Sequence, residues 1–153
     1  MHQESQLAST PVQTIEFNQL SRKPSPEGHL ENLVTRLGVV YVTAITRDGC
    51  SGCAEQKPLY KDMAVRVGAQ HADHVSFSTI HVQYSEDDGS QSREAKKALR
   101  HAAYPTYMIH VKSKFGPLEL YRAIYPSMNE LEKQVNEALE LAEHYKTDAE
   151  KTN

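Results

Sequence analysis

Cys50 and Cys53, separated only by Ser51 and Gly52, are the residues of this chain most able to do chemistry. A thiolate is both a nucleophile and a metal ligand, so a two-residue gap suits either a redox pair or half of a metal site. Two cysteines cannot build the disulfide framework of a small secreted domain. A zinc half-site would draw on His71 and His74, which follow in an H-x-x-H arrangement, but their spacing from the cysteines departs from the usual finger. A purely structural disulfide would close a tiny loop that constrains the unfolded chain little, and cytosolic reductants would open it.

The elements that must position the pair favour the redox reading. From Val39 to Ile45 the residues are mostly β-branched or aromatic without sustained alternation, which predicts a central strand buried on both faces. Thr46-Arg47-Asp48-Gly49 then turns the chain. Leu59, Met63 and Val67 recur every four residues, with Tyr60 and Ala64 beside them, so a helix begins at or just after Cys50. Cys50 would lie among amides that have no partner inside that helix. Those amides and the helix dipole favour a negative charge and lower the thiol pKa, making Cys50 the attacking thiolate. Cys53 sits one turn on and on the same side, placed to attack the mixed disulfide and release the reduced substrate.

Elsewhere the pattern alternates between strand and helix. Residues 1 to 11 lack periodicity and predict a frayed tail, Val12 to Phe17 a first strand, and Ser21 to Pro26 a proline-imposed break. Leu30, Leu33, Val34 and Leu37 share one helical face, with Gly38 where that helix would end. Val75 to Gln83 reads as a strand, and Ala95, Ala98, Leu99 and Ala102 mark an amphipathic helix that stops before Pro105. Thr106 to Val111 and Leu118 to Ile124 form an antiparallel hairpin across the Lys112 to Pro117 turn. Ser127-Met128-Asn129-Glu130 has the form of a capping box, opening a last helix with the stripe Leu131, Val135, Ala138, Leu139 and Ala142. That helix is expected to end near Tyr145, with residues 146–153 fraying. The order calls for one α/β domain over residues 12–145: a mixed sheet with helices on both faces.

Length and charge bound the partners. At 153 residues the chain suits one domain with a core that needs no disulfide staples. Seventeen basic against twenty acidic residues give a net charge of -3, which leaves no basic surplus for nucleic acid or anionic lipid. The longest apolar run, Leu37 to Ile45, is half a bilayer span and is interrupted by Thr43. Polar residues from Met1 to Pro11 in place of a basic and then apolar leader place the expected site of action in the cytoplasm.

With these motifs in place, the chain from about Val39 to Leu139 resembles the thioredoxin superfamily, and the segment from Val12 resembles the first strand and helix of that fold. Three features carry the resemblance. Cys50-Ser51-Gly52-Cys53 follows a β-branched strand; Pro58 lies five residues after Cys53, where thioredoxins and protein disulfide isomerases have a helix-kinking proline; and Tyr104-Pro105-Thr106 precedes an apolar strand, like the family's cis-proline motif in its disulfide isomerase form. The resemblance implies a thioredoxin-like fold and exchange with protein disulfides. Gly49, Tyr104, Pro105 and Thr106 would line the substrate site, with no cofactor and no metal. A cis Tyr104-Pro105 bond would leave the amide and carbonyl of Tyr104 free to pair with an extended substrate. A flavin-dependent thioredoxin reductase or a glutathione system would recharge the pair.

Departures from the family bear on the chemistry. Gly49 replaces the tryptophan before the first cysteine and should make the loop more pliable. Ala44, six residues before Cys50, stands where thioredoxin has a buried aspartate and disulfide isomerases a glutamate; Thr79 stands near the place of the accompanying lysine. Proton removal from Cys53 must then use water or a nearby carboxylate, Asp48 or Glu55. Water is favoured, because neither acid is expected to be buried. Ser51-Gly52 matches neither Gly-Pro nor Gly-His, and the longer span from Cys53 to Pro105 places extra residues in Glu86 to Arg93. These departures suit a second class of function, a non-catalytic binding or redox-sensing module, zinc-loaded if the histidines join. Of the remaining features, His101 is expected at the surface near a helix end. Tyr104, Tyr107, Tyr121 and Tyr125 are candidates for an aromatic substrate surface, although strand tyrosines usually pack with a wet hydroxyl.

Overall fold

The computed structural model describes residues 11–20 and 26–151, with the side chains of residues 26 and 27 excepted. Residues 1 to 10 of the tail expected over residues 1 to 11, and most of the Ser21 to Pro26 break, fall outside these residues. Five strands form one sheet in the order β1-β3-β2-β4-β5: β1 (Gln13–Glu16), β2 (Val40–Arg47), β3 (Val75–Val82), β4 (Thr106–Ser113) and β5 (Gly116–Ile124). β2 is the central strand. It runs parallel to β3 and antiparallel to β4, while β1 and β3 are parallel and β4 and β5 form the antiparallel hairpin. The helices are α1 (Pro26–His29), α2 (Ser51–Gln70), α3 (Ser90–Leu99) and α4 (Met128–Lys151).

Alternation along β2 divides the core in two. Val40, Val42 and Ala44 face a cluster with Tyr60, Met63 and Val67 of α2 and Leu131, Val135 and Ala138 of α4. Val39, Tyr41 and Ile45 face Phe17, Leu30, Ile80, Leu99 and Met108. Every residue from Val40 to Ile45 is buried, as a strand covered on both faces requires.

Three expectations need correction. The helix read from Leu30 to Leu37 is only the four residues Pro26–His29, and turns follow it. Tyr41 explains part of this: its hydroxyl accepts the Arg36 amide at 3.0 Å, which diverts that donor from a helical carbonyl. Leu30 and Val34 still reach the core, so the apolar spacing reported burial rather than a helix. Leu59 is 49% exposed, beside the exposed Pro58, and the apolar stripe of α2 runs instead through Tyr60, Met63, Ala64 and Val67. Finally, α4 continues past Tyr145 to Lys151, where the Thr147 hydroxyl donates to the Glu143 carbonyl at 3.0 Å and Lys114 reaches Asp148 at 3.4 Å. The Ser127 hydroxyl accepts the Glu130 amide at 3.1 Å, as the capping motif anticipates.

Candidate functional site: the Cys50-Cys53 loop

The cysteines stand where the central strand hands over to α2. Gly49 makes the turn with φ +70°, a conformation that a residue with a side chain adopts only under strain. Cys50 follows in extended geometry (φ -103°, ψ 110°) as the cap of α2, and its Sγ accepts the Cys53 amide at 3.1 Å. The sulfur thus occupies the place an N-cap oxygen would take. Cys50 and Cys53 are joined in a disulfide with their Cα atoms 5.2 Å apart; Cys53 is 9% exposed, and Cys50 is the more accessible of the two. Pro58 lies on the exposed side of α2, which runs unbroken through it to Gln70. It is not a helix boundary.

The second wall is the loop before β4. The Tyr104-Pro105 peptide bond is cis. Pro105 Cδ lies 3.3 Å, and Tyr125 Cε1 3.1 Å, from the point where a Cβ on Gly52 would sit. Thr106 holds the loop through its hydroxyl, which donates to the Ala103 carbonyl at 2.8 Å, and the Tyr125 amide donates to the Pro105 carbonyl at 2.9 Å. Among the described residues, neither the amide nor the carbonyl of Tyr104 has a hydrogen-bond partner. Gly52 is therefore a close-approach glycine. An alanine there would gain up to about 1 kcal/mol of helix propensity but would push on two rings that are both tethered, at a cost of about 1–3 kcal/mol. We expect Gly52→Ala to be destabilising by about 1 kcal/mol in urea denaturation.

At position 44 the space is filled by apolar packing rather than an acid. Ala44 lies opposite Thr79 on β3 and Tyr107 on β4, within the cluster that holds Tyr60. The buried Tyr60 hydroxyl is 2.8 Å from the Ser78 carbonyl and 3.1 Å from that of Val42. Both carboxylates weighed as proton acceptors are engaged elsewhere. Glu55 accepts the Tyr125 hydroxyl, and Asp48 accepts from His81 at 2.8 Å and from the Tyr84 amide at 3.2 Å. Gln56 of α2 donates to the Pro126 carbonyl at 2.7 Å and so ties the helix to the Tyr125 loop.

His81 connects the loop to the sheet edge. Its Nδ1 lies 2.8 Å from Glu16 and its Nε2 2.8 Å from Asp48. Partial burial lowers its pKa, but the hydrogen bonds and charges of Glu16 and Asp48 outweigh that and hold it above the ordinary imidazole value. A raised folded pKa means that the stabilisation is complete below the unfolded pKa of about 6.5 and is lost as pH rises through the folded value. The partners are 39% and 50% exposed, so solvent screening keeps the effect to about 0.5 kcal/mol per contact. His81→Gln should remove this small alkaline decline, measured as the denaturation midpoint between pH 6 and 9.

One further expectation changes here, and one alternative weighed above can be located. His101 is not a surface residue: it is 5% exposed and sits edge-on to the Tyr104 ring at 4.7 Å, behind the proline loop. Burial first, then the charges of Arg122 and Lys96, push its pKa down to about 4. His71 and His74 do not join the cysteines. His71 caps the carboxyl end of α2 while Cys50 caps its start, and a helix of 20 residues separates them by about 30 Å. Among the described residues, no cluster of three or more histidine, cysteine or acidic side chains is arranged to hold a metal.

Of the four tyrosines, Tyr107 is buried in the core and Tyr104 leans on Ser92. Tyr121 is half-buried, and Tyr125 stands exposed over the cysteine loop. Sequence spacing did not single out Arg47, Tyr84, Glu16 or His81, which come from separate strands and loops and meet only in three dimensions.

No family model matches the sequence, and no curated protein matches it. Solved structures do. The chain is similar to thioredoxin of Trichomonas vaginalis (12% identity, 84% of this chain and 98% of that one, TM-score 0.60). It is also similar to thioredoxin NaTrxh of Nicotiana alata (20% identity, 84% and 95%, TM-score 0.53). A third match is a chain of the complex of ferredoxin:thioredoxin reductase with thioredoxin f2 (13% identity, 82% and 94%, TM-score 0.54). Sheet order, the cysteine pair at the start of α2 and the cis-proline loop beside it agree with these likenesses, and the chain has the thioredoxin fold.

Proposed function

We propose that the protein is a thiol-disulfide oxidoreductase acting on protein disulfides. The observation that carries the proposal is the seating of Cys50 Sγ as the cap of α2, on the Cys53 amide, beside the open main chain of Tyr104. In the reduced protein the Cys50 thiolate attacks a substrate disulfide, one substrate thiolate leaves, and a mixed disulfide forms. Cys53 loses its proton to water and attacks Cys50 Sγ. The second substrate thiolate departs, the Cys50-Cys53 bond closes, and two electrons have passed to the substrate, whose thiolates take up protons from solvent. The substrate chain would pair as an added strand with the amide and carbonyl of Tyr104, against Gly49, Pro105 and Thr106.

Recharging needs an external thiol reductant that supplies two electrons, from one dithiol or from two monothiols. A thioredoxin reductase or a glutathione system in the cytoplasm fits that need, and one structural neighbour was solved with ferredoxin:thioredoxin reductase. The apolar packing at Ala44 equally suits a non-catalytic binding or redox-sensing module. Reduction of a protein disulfide with dithiothreitol as electron source separates the two. Many turnovers per protein molecule are expected, whereas a single stoichiometric oxidation of the pair would favour the sensor.

A further inference from the structure

Arg47, the last residue of β2, is half-buried beside the cysteine loop and is aimed by contacts that leave its charge unmatched. Its guanidinium carbon lies 3.8 Å from the centre of the Tyr84 ring and 5.7 Å from that of Tyr104. Nη1 donates to the Asp48 carbonyl at 2.9 Å and lies 3.7 Å from the point where a Cβ on Gly49 would sit. The neighbouring Asp48 carboxylate does not pair with it. That group is held by His81 and the Tyr84 amide. Lys96 of α3 brings a second ammonium to 5.6 Å from the Tyr104 ring. Neither Arg47 nor Lys96 has a carboxylate partner among the described residues.

Stacking fixes the plane of a guanidinium and leaves its remaining N–H donors pointing along its edge, the geometry that takes a carboxylate. Both cations lie within 5.7 Å of the ring centre of Tyr104, the residue whose main chain is open to an added strand. In an added strand, side chains near the reacting cysteine project toward the walls of the docking groove. We infer that the site selects disulfides in peptide segments carrying an aspartate or glutamate next to the reacting cysteine, with Arg47 as the main contact and Lys96 reinforcing it. The inference rests on the oxidoreductase proposal and names its substrate class.

The test uses peptide disulfides that differ only in the residue beside cysteine, Glu, Gln or Lys, each linked to the same reporter thiol. For the wild type at low salt, kcat/KM should fall about fivefold from Glu to Gln and further to Lys, with the preference shrinking at high salt. Arg47→Gln should abolish the ranking, Lys96→Gln should reduce it, and Arg47→Lys should retain part of it. Equal rates with all three peptides, or a ranking that survives Arg47→Gln, overturns the inference. A charge preference confined to oxidised glutathione and missing from the peptides overturns the peptide assignment. Bis(2-hydroxyethyl) disulfide, which carries no charge, is measured with the wild type in parallel. If that neutral disulfide is not reduced, the oxidoreductase proposal fails; if it is reduced without peptide ranking, only the substrate class fails.

Discussion

Cys50→Ser should reduce disulfide turnover by about a thousandfold or more, because serine offers no anion at neutral pH and no sulfur to form the mixed disulfide. The partner substitution should behave differently. Cys53→Ser leaves the attacking sulfur in its cap position but removes the group that resolves the intermediate. The expected result is one rapid equivalent of released substrate thiol followed by arrest, with a covalent adduct on Cys50 visible by mass spectrometry. Equal loss without adduct in both variants would mean that the two cysteines do not divide the roles of attack and resolution. The asymmetry in exposure favours the division, since the half-buried Cys50 is open to a substrate and Cys53 is 9% exposed behind it.

The second large effect concerns acid stability. His101 is 5% exposed, and among the described residues neither ring nitrogen has a hydrogen-bond partner. Among the described residues, the charged groups that face it are Arg122 from β5 and Lys96 from α3, both cationic, and Tyr104 covers its ring edge-on. Nothing there favours an imidazolium. Its pKa falls to about 4 when folded, against about 6.5 unfolded. A depressed folded pKa leaves stability intact above the unfolded value. Below it, the unfolded chain takes the proton first, and stability drains as pH falls toward the folded value. Two and a half units correspond to about 3 kcal/mol, a large share of a typical domain stability of roughly 5–15 kcal/mol. His101→Phe keeps the edge-on contact with Tyr104 and removes the protonation. The variant should therefore lose about 3 kcal/mol less than the wild type between pH 7 and pH 4 in urea denaturation. Parallel curves for the two proteins would show that the ring is reached by water or by a compensating acid.

The same burial shows why some features were legible in the sequence and others were not. The strand β2 and the helix α2 were readable because a strand covered on both faces draws mainly apolar and β-branched residues, and because an apolar face at helical spacing needs no distant partner to declare itself. The Cys50 cap followed from the same local logic. The segment after His29 was misread because Leu30 and Val34 are spaced for a helix, while the Tyr41 hydroxyl, from another element, takes the Arg36 amide. His101 was misplaced for a similar reason: a histidine near a helix end is usually wet, and the edge-on packing against Tyr104 is part of what makes it a core residue. The zinc alternative turned on sequence separation, which concealed that α2 holds the cysteines and the histidines at its two ends. Arg47, Tyr84, Glu16 and His81 carry no short-range signal at all, because the parallel pairing of β1 with β3 and of β3 with β2 is what gathers them at one edge of the loop.

The most direct test of the site is the rate of Cys50 alkylation by iodoacetamide as a function of pH, measured on reduced Cys53→Ser. An inflection clearly below that of an ordinary thiol, near pH 8.5, is expected, since the sulfur caps α2 and accepts the Cys53 amide. An inflection at or above the ordinary value would contradict the account, because the helix start would then confer no anionic character on the sulfur that is meant to attack.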